Sequence, residues 1–287
     1  MIIYRTLEKT DLHALHTAFL AAFSDYQVKM DFPFASFERM MRRRGLTPEL
    51  SVGAFEGDRL IGFSLTALRS RNGIPTAYDI ATGIVPEYRR QGITDEIFLR
   101  EKALLNKQHV AQYLLEVIRE NSPAVQLYQK QGFKIQREFS CFRIDRDRLT
   151  PRARHLAEQA DGIDFTQGET FWDFEPSWQN SIASVSAVPE AFVCDVVRLN
   201  GEIVGYGMIE RETGDIPQLA VNPKFRRIGI GTSLLAGLAK HTEMEEIRVL
   251  NVETLQEGVL HFLTVLGFER YVSQQEMLLP LQNFEHD

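Results

Sequence analysis

Two loops in this sequence have the residue types and spacing of an anion-binding site. The first reads Pro86-Glu87-Tyr88-Arg89-Arg90-Gln91-Gly92-Ile93 and the second Pro223-Lys224-Phe225-Arg226-Arg227-Ile228-Gly229-Ile230, so proline, an aromatic, two arginines and a glycine recur in register. Each stands between an apolar, strand-like run and an amphipathic helical stretch. A helix starting at such a glycine leaves its first backbone N–H groups unpaired and turns its positive dipole end toward the loop. Phosphate oxygens suit that cup. Gly92 and Gly229 let a ligand approach the backbone and permit φ > 0, while the arginines add charge. Short Arg/Gly strings also arise by chance, but here the flanks repeat as well.

Upstream lie Ile61-Gly62-Phe63 and Val204-Gly205-Tyr206; downstream lie Gly132-Phe133 and Gly267-Phe268, 40 and 38 residues beyond the loop glycines. Three anchors in one order indicate a duplicated domain. A chain of 287 residues accommodates two cores. The expected seam is the charged stretch Asp145 to Arg154, giving domains 1–148 and 149–287. The halves carry about +4 and −11 of the total −7. The basic half would attract a polyanion or its acidic twin, or the difference is surface drift.

No apolar run is long enough to span a membrane, and Met1-Ile2-Ile3-Tyr4-Arg5 lacks the start of a signal peptide, so the expectation is a cytoplasmic protein with no membrane partner. Cys141 and Cys194 fall singly in strand-like runs, as reduced buried thiols would. No metal is expected: His13 and His16 share a helix face without acidic or cysteine partners to complete a site. An acidic chain without a basic stripe disfavours nucleic acid. Gly229-Ile230-Gly231 lacks the third glycine of a dinucleotide fingerprint, and no Walker, kinase or serine-elbow motif appears.

The elements that must position the loops follow from periodicity and turn signals. The first half reads as a strand at Ile2–Arg5, a helix from the N-cap Asp11 to about Phe23, and a helix at Phe34–Arg44. Strands at Ser51–Phe55, Arg59–Leu68 and Thr76–Val85 should pair antiparallel, the first two joined at Glu56-Gly57-Asp58. After the loop come a helix with Ile97, Phe98, Leu104 and Leu105 at helical spacing, a strand at Tyr113–Ile118, a helix from Ser122 to about Gln131, and a closing hairpin at Phe133–Ile144.

With those elements in place, Gly83-Ile84-Val85-Pro86 through Arg89-Arg90-Gln91-Gly92, then Asn121-Ser122-Pro123-Ala124 through Leu127-Tyr128 and Gly132-Phe133, resembles the GNAT superfamily of N-acetyltransferases. Leu219-Ala220-Val221-Asn222-Pro223 through Arg226, Gly229 and Gly231 resembles it again, a tandem arrangement also found in mycothiol synthase-like proteins. The resemblance implies an α/β (α+β) fold of two tandem GNAT acyl-CoA N-acyltransferase domains. Each would be a mixed, mainly antiparallel sheet with a splayed central strand pair flanked by helices. It further implies acetyl-CoA as cosubstrate, threaded between the splayed strands, and a primary amine of a small molecule or peptide as acceptor, attacking directly in a ternary complex. The cofactor-binding set is then Ile84, Val85, Arg89, Arg90, Gln91, Gly92, Ile93, Thr94 and Asn121 in the first copy. In the second it is Leu219, Val221, Arg226, Arg227, Gly229, Gly231 and Thr232. A backbone N–H near Val85 would be the oxyanion donor. Amide groups of the pantetheine arm would pair with the freed strand edges.

Tyr128 stands where the family places its general acid, four residues before Gly132; an aromatic on a buried helix face is the plainer reading. Asp79 and Glu116, on the strands flanking the cleft, are alternative bases, acting directly or through water, or carboxylates that only pair with arginines. Thr94 replaces a small residue in the first loop. In the second copy Leu263 stands opposite Tyr128 and Gln256 opposite Asn121, so the expectation is chemistry in the first domain and a CoA-binding, degenerate second. The mycothiol synthase-like relatives, active in their C-terminal copy, point the other way, and a catalytically silent CoA-binding or regulatory protein is the alternative. Acceptor recognition is expected at Asp25, Tyr26 and Phe32, among Phe23, Asp31, Phe34 and Phe37, with a counterpart at Phe171 to Trp178. Arg42-Arg43-Arg44 would meet a 3′-phosphate or form a solvated helix face.

Overall fold

The computed structural model describes residues 1–26, 30, 33–162 and 164–281. Asp31 and Phe32, expected near the acceptor, lie outside the described residues. The chain forms two compact units, one of residues 1–117, 121–136 and 276–287 and the other of 118–120 and 137–275. Residues 276–281 are thus counted with the first unit, and the segment expected to close the first half is counted mostly with the second.

In the first unit the elements are β1 (Ile2–Thr6), α1 (Leu12–Ala22), α2 (Phe34–Arg44), β2 (Val52–Glu56), β3 (Arg59–Arg71), β4 (Ile74–Ile84), α3 (Ile93–Lys107), β5 (Gln112–Ile118) and α4 (Ser122–Lys130). Strand order is β1-β2-β3-β4-β5, antiparallel except for the parallel pair β4–β5. That parallel pairing covers only Thr76↔Gln112 to Asp79↔Leu115. Beyond it the two strands part, as the family resemblance requires. The parting coincides with a bulge: Leu65 pairs with Ala81 but Thr66 with Asp79, leaving Ile80 extra. A bulge re-aims side chains, and here it lets Asp79 and Thr82 share one face of β4 despite their odd spacing.

Alternation along β3 assigns the faces. Phe63 turns to α1, where Phe19 is fully buried beside Phe37 of α2; Ser64 and Thr66 turn to α3. Phe98, Leu105, Tyr113, Leu115, Tyr128 and Phe133 make the core under α3 and α4.

The expected hairpin at Phe133–Ile144 is corrected: Lys134–Asp145 is one strand, β6. It contains no Gly, Pro or Asn to turn on, and the burial of Phe139, Cys141 and Ile144 runs on to its end.

The second unit contains β7 (Ala157–Ala160), α5 (Phe165–Glu169), α6 (Ile182–Ser186), β8 (Phe192–Leu199), β9 (Glu202–Glu210), β10 (Asp215–Ile216), β11 (Gln218–Val221), α7 (Ile230–Leu238), β12 (Glu246–Glu253), α8 (Glu257–Val265) and β13 (Glu269–Pro280), whose last residues group with the first unit. Here the break is complete. Pro217 separates β11, antiparallel to β9, from β10, parallel to β12. Proline cannot donate to a ladder. Cys141 and Cys194 are buried free thiols, and among the described residues no helix is long and apolar enough to cross a membrane.

At Gly83 an added Cβ would lie 2.9 Å from Phe63 Cζ, 3.0 Å from Ala22 Cβ and 3.2 Å from Phe23 Cε2. The close seating of α1 on β4 therefore requires glycine. Gly83→Val is expected to lower stability by about 1–3 kcal/mol in urea unfolding. Gly258→Ala, in an exposed turn of α8 with open space around it, is expected to be neutral or to stabilise by up to about 1 kcal/mol.

Candidate active site

Both phosphate-type loops fold alike. After a single turn at Pro86–Tyr88 or Pro223–Phe225, the second arginine and the glycine are left-handed: Arg90 has φ 62° and Gly92 78°, Arg227 68° and Gly229 97°. Such alternation aims successive backbone N–H groups into one concavity. Neither α3 nor α7 has a side-chain cap at its start, so their first N–H groups face the cup. An added Cβ at Gly92 would meet nothing within 4 Å, which leaves the cradle open for a pyrophosphate.

The first arginine of each pair does other work. Arg89 Nε donates to the Ile84 carbonyl at 3.1 Å and Nη2 to the Ala22 carbonyl at 2.9 Å, while its two terminal nitrogens grip the Asp25 carboxylate at 2.6 and 2.7 Å. In the second unit Arg226 donates to the carbonyls of Val221 at 3.0 Å and Phe171 at 2.9 Å and pairs with Asp173 at 2.8 Å. Each arginine ties the end of a cleft strand to the segment expected to hold the acceptor. Asp25, expected to receive a cationic amine, is thereby engaged at both oxygens, and Arg89 is a brace rather than a free phosphate ligand. The N–H of Val85 itself donates to the Ile61 carbonyl at 2.9 Å.

The two cups open onto different spaces. In the second unit a cavity of about 760 Å³ is lined by Leu219, Val221, Arg226, Arg227, Gly229, Gly231 and Thr232, every cofactor residue expected there. That is within the usual range of small-molecule sites, roughly 300–1,000 Å³. Its inner wall includes Ile216, Val249 and Leu263. In the first unit the cavity at the loop is about 220 Å³ and takes in Ile84, Arg89, Arg90, Gly92, Ile93 and Thr94, but not Val85, Gln91 or Asn121. Thr94 and Leu127 line this smaller cavity together. At the matching place a Cβ on Gly231 would stand 3.1 Å from the Phe262 ring. The first copy has a larger loop residue where the facing helix has a smaller one.

The chemistry-bearing groups of the first unit form a buried chain. Tyr128 Oη donates to Asp79 Oδ2 at 3.1 Å, and Thr82 Oγ1 lies 2.9 Å from the same oxygen and 3.2 Å from Ser64 Oγ. Ser64 Oγ is 2.9 and 3.0 Å from the two Glu101 oxygens, Thr66 Oγ1 also donates to Glu101, and Tyr113 Oη stands 3.4 Å from both hydroxyls. Asp79 Oδ1 is buried with no hydrogen-bond partner among the described residues. Burial raises the Asp79 pKa from 3.8 to about 6 against the opposing hydrogen bonds of Thr82 and Tyr128. Burial, with the nearby charge of Asp79, raises Glu101 from 4.5 to about 8. Tyr128 is pushed well above its ordinary value by burial and by Asp79, so the phenol keeps its proton at neutral pH.

Glu116 is not part of this chain. Asp79 pairs with Leu115 in the parallel ladder, so Glu116 points to the other face, where its charge acts on Tyr78. Asn121 caps α4 through Ala124 N–H at 3.3 Å, and its Nδ2 reaches Tyr26 Oη at 3.5 Å. Tyr26 also acts electrostatically on Tyr128. Tyr26, Asn121, Tyr128 and Asp79 therefore come together; Asp25 and Glu116 do not join them. Gln91 stays at the surface, its amide on the Glu87 carbonyl at 3.3 Å. His13 stacks on Phe34 and His16 lies tilted against Phe37, and no cluster of metal-ligating side chains exists among the described residues.

Sequence reasoning missed Ser64, Thr66, Thr82, Glu101 and Tyr113. The available signal was Glu101, four residues after Ile97 and four before Leu105, a carboxylate on the apolar stripe of its helix.

Comparison with known proteins bears on both units. The family model described as acetyltransferase (GNAT) family matches residues 12–133 and 157–268. The fold is similar to a tandem GNAT protein from the clavulanic acid biosynthesis pathway, at 16% identity and TM-score 0.73 over 98% of this chain and 99% of that one. It is likewise similar to a GCN5-related N-acetyltransferase from Sphaerobacter thermophilus, at 15% identity and TM-score 0.71 over 98% and 96%. A third likeness is to a putative acetyltransferase from Pyrococcus horikoshii, at 18% identity and TM-score 0.69 over 99% and 91%. No curated protein matches the sequence.

The raised carboxyl pKa values carry a stability consequence. The fold holds the Asp79 and Glu101 protons more tightly than the unfolded chain does. The resulting stabilisation is whole below the ordinary carboxyl range and is lost as pH rises through about 6 and then about 8. Wild-type protein is expected to lose resistance to urea between roughly pH 5 and 9. Glu101→Leu should flatten that slope and exceed wild type at the alkaline end, since a buried charge yields to an apolar residue of like size.

Proposed function

The chain belongs to the GNAT acetyltransferase family, and from that premise we propose that its first unit transfers an acetyl group from acetyl-CoA to a primary amine of a small molecule or peptide, by direct attack in a ternary complex. The observation that carries this reading is the hydrogen bond from Tyr128 Oη to Asp79 Oδ2, at the point where β4 and β5 part. The open glycine cradle at Gly92 and the uncapped start of α3 suit the CoA pyrophosphate. When bound, acetyl-CoA supplies an activated acyl carbon and a sulfur that must leave with a proton.

The chain's own residues provide for that proton. Tyr128 holds it at neutral pH because burial and Asp79 oppose the phenolate, and the phenol is placed to give it as negative charge develops on the departing sulfur. Asp79 fixes the direction of the phenol through its Oδ2. Tyr26 and Asn121 mark the acceptor's entrance. Glu116, on the opposite face, is assigned the proton of the incoming ammonium, directly or through a water.

The second unit is proposed to bind CoA without turnover. Its 760 Å³ cavity holds the whole expected cofactor set yet ends on Leu263, a side chain with no proton to give. The alternative, a wholly silent CoA-binding or regulatory protein, rests on this same cavity. We place the protein in the cytoplasm, with the amine as its partner and neither nucleic acid nor membrane.

Screening amines with acetyl-CoA while following free thiol separates the readings. Tyr128→Phe is expected to lower kcat by about 10²–10⁴-fold with CoA affinity unchanged. Undiminished turnover would remove Tyr128 from its role. CoA binding without turnover on any amine would establish the silent alternative. Calorimetry is expected to count CoA in the second unit whether or not Tyr128 is present, and Gly231→Val, which drives a side chain against Phe262, should abolish that site.

A further inference from the structure

The buried chain does not end at Asp79. It continues through Thr82 and Ser64 to Glu101, a carboxyl group wholly enclosed between α3 and the sheet. Holding Tyr128 in place requires one acceptor; nothing in that task calls for a second carboxyl group two hydroxyls further in. The duplicated unit shows that the fold does not require it either. The registers Gly62↔Ile84, Phe63↔Gly83 and Ser64↔Thr82 recur as Gly205↔Val221, Tyr206↔Ala220 and Gly207↔Leu219. Carried through the loop glycines, the β4–β5 and β10–β12 ladders and the Gly-Phe anchors, that register matches every member of the chain to a partner without hydrogen-bonding side-chain atoms. Ser64 and Thr66 correspond to Gly207 and Ile209, Asp79 and Thr82 to Ile216 and Leu219, Glu101 to Leu238, Tyr113 to Ile247 and Tyr128 to Leu263. Ile209, Ile216, Leu238, Ile247 and Leu263 belong to one apolar core, with Leu219 packed against it.

We propose that Glu101 is a buried proton store for the acetyl transfer, which through Ser64, Thr82 and Asp79 restores to Tyr128 the proton given to the departing thiolate. The proposal rests on Tyr128 being the acid. In the step, the Tyr128 O–H bond breaks as an S–H bond forms. The Glu101 carboxyl then gives its proton to Ser64 as Ser64 gives one to Thr82 and Thr82 one to Asp79, and Asp79, protonated in this way, passes it to the phenolate oxygen. Each hydroxyl gains one proton and loses one. Glu101 ends as carboxylate and regains its proton when the one the amine releases on acylation enters at Tyr128 and runs back along the same chain. The net reaction is unchanged, and a phenolate beside an ionised Asp79 is avoided.

The groups facing Glu101 support a stored proton. They are Ser64 and Thr66 from β3, the Asp79 carboxyl from β4 and Tyr113 from β5, with Lys102 following it on α3 and acting on it electrostatically. Tyr128 approaches only through Asp79, and the Arg44 guanidinium of α2 acts on Asp79. Two buried carboxyl groups so joined hold one proton between them over the neutral range.

Infrared spectroscopy of the whole chain at neutral pH tests the store without any acceptor. A protonated carboxylic acid carbonyl band is expected in wild type, lost in Glu101→Gln and titrating away near pH 8. Absence of the band, or its persistence in Glu101→Gln, would overturn the proposal even where the amine activity stands. With a turned-over amine, Glu101→Gln should lower kcat at least about tenfold and move the alkaline limb of its pH profile to lower pH, with KM for acetyl-CoA unchanged. A limb that stays in place would reduce Glu101 to packing. Glu101→Leu, which matches the duplicate and should fold, is expected to repeat the kinetic effect; wild-type kinetics in it would also overturn the proposal.

Discussion

Everything functional in either unit hangs on one interruption: a parallel strand pair that begins and then stops. A ladder pairs the backbone groups that face the neighbouring strand only while it lasts, so ending one inside a sheet exposes N–H and C=O groups that need other partners. In the first unit the pairing stops after Asp79↔Leu115, and the extra residue Ile80 turns β4 aside. In the second it stops after Ile216↔Val249, and Pro217 divides what would be one strand. The physical means differ, a bulge in one and an imino acid in the other, but the interruption falls at matching positions. The opening created there is where an extended, amide-bearing ligand arm can take the place of a strand.

The arginine doublets show how such an opening is kept. Read as charge, all four arginines serve a phosphate. In the structure the first of each pair binds two backbone carbonyls and an aspartate, joining the end of the cleft strand to the segment after the unit's first helix or its counterpart. An ion pair with Arg89 40% and Asp25 55% exposed is screened by solvent and contributes little by itself. Its value is geometric, since a planar guanidinium with fixed donors sets the spacing of three chain segments. That leaves the second arginine, held in left-handed backbone, to face outward.

Local pattern made much of this visible. The helix Phe34–Arg44 has the expected bounds, and the paired strands and the loop-to-helix transitions follow from alternation, turn residues and glycines. The repeated Gly-Phe anchors revealed the duplication because close packing and left-handed turns demand those residue types. What stayed hidden was decided by tertiary partners. Nothing local distinguishes an arginine that braces from one that binds. The stretch Phe133 to Ile144 reads as either one long strand or two short ones until its neighbours are known. Tyr128 was legible through the family resemblance alone, whereas Glu101 stood in an apolar stripe whose periodicity absorbed it.

The duplication finally supplies a comparison within one chain. Burying a carboxyl group among hydroxyls costs desolvation that hydrogen bonds only partly return, and a well-packed apolar set at the same positions is commonly more stable. The second unit has that apolar set in the same fold, with the same loop and the same broken ladder. Stability therefore does not account for the polar chain of the first unit, and neither does the need to form the cleft. A chain of hydroxyls and carboxyls that leads from a phenol at the strand break into a closed core, ending on a carboxyl group that favours its proton, has proton movement as the remaining physical reason for its arrangement.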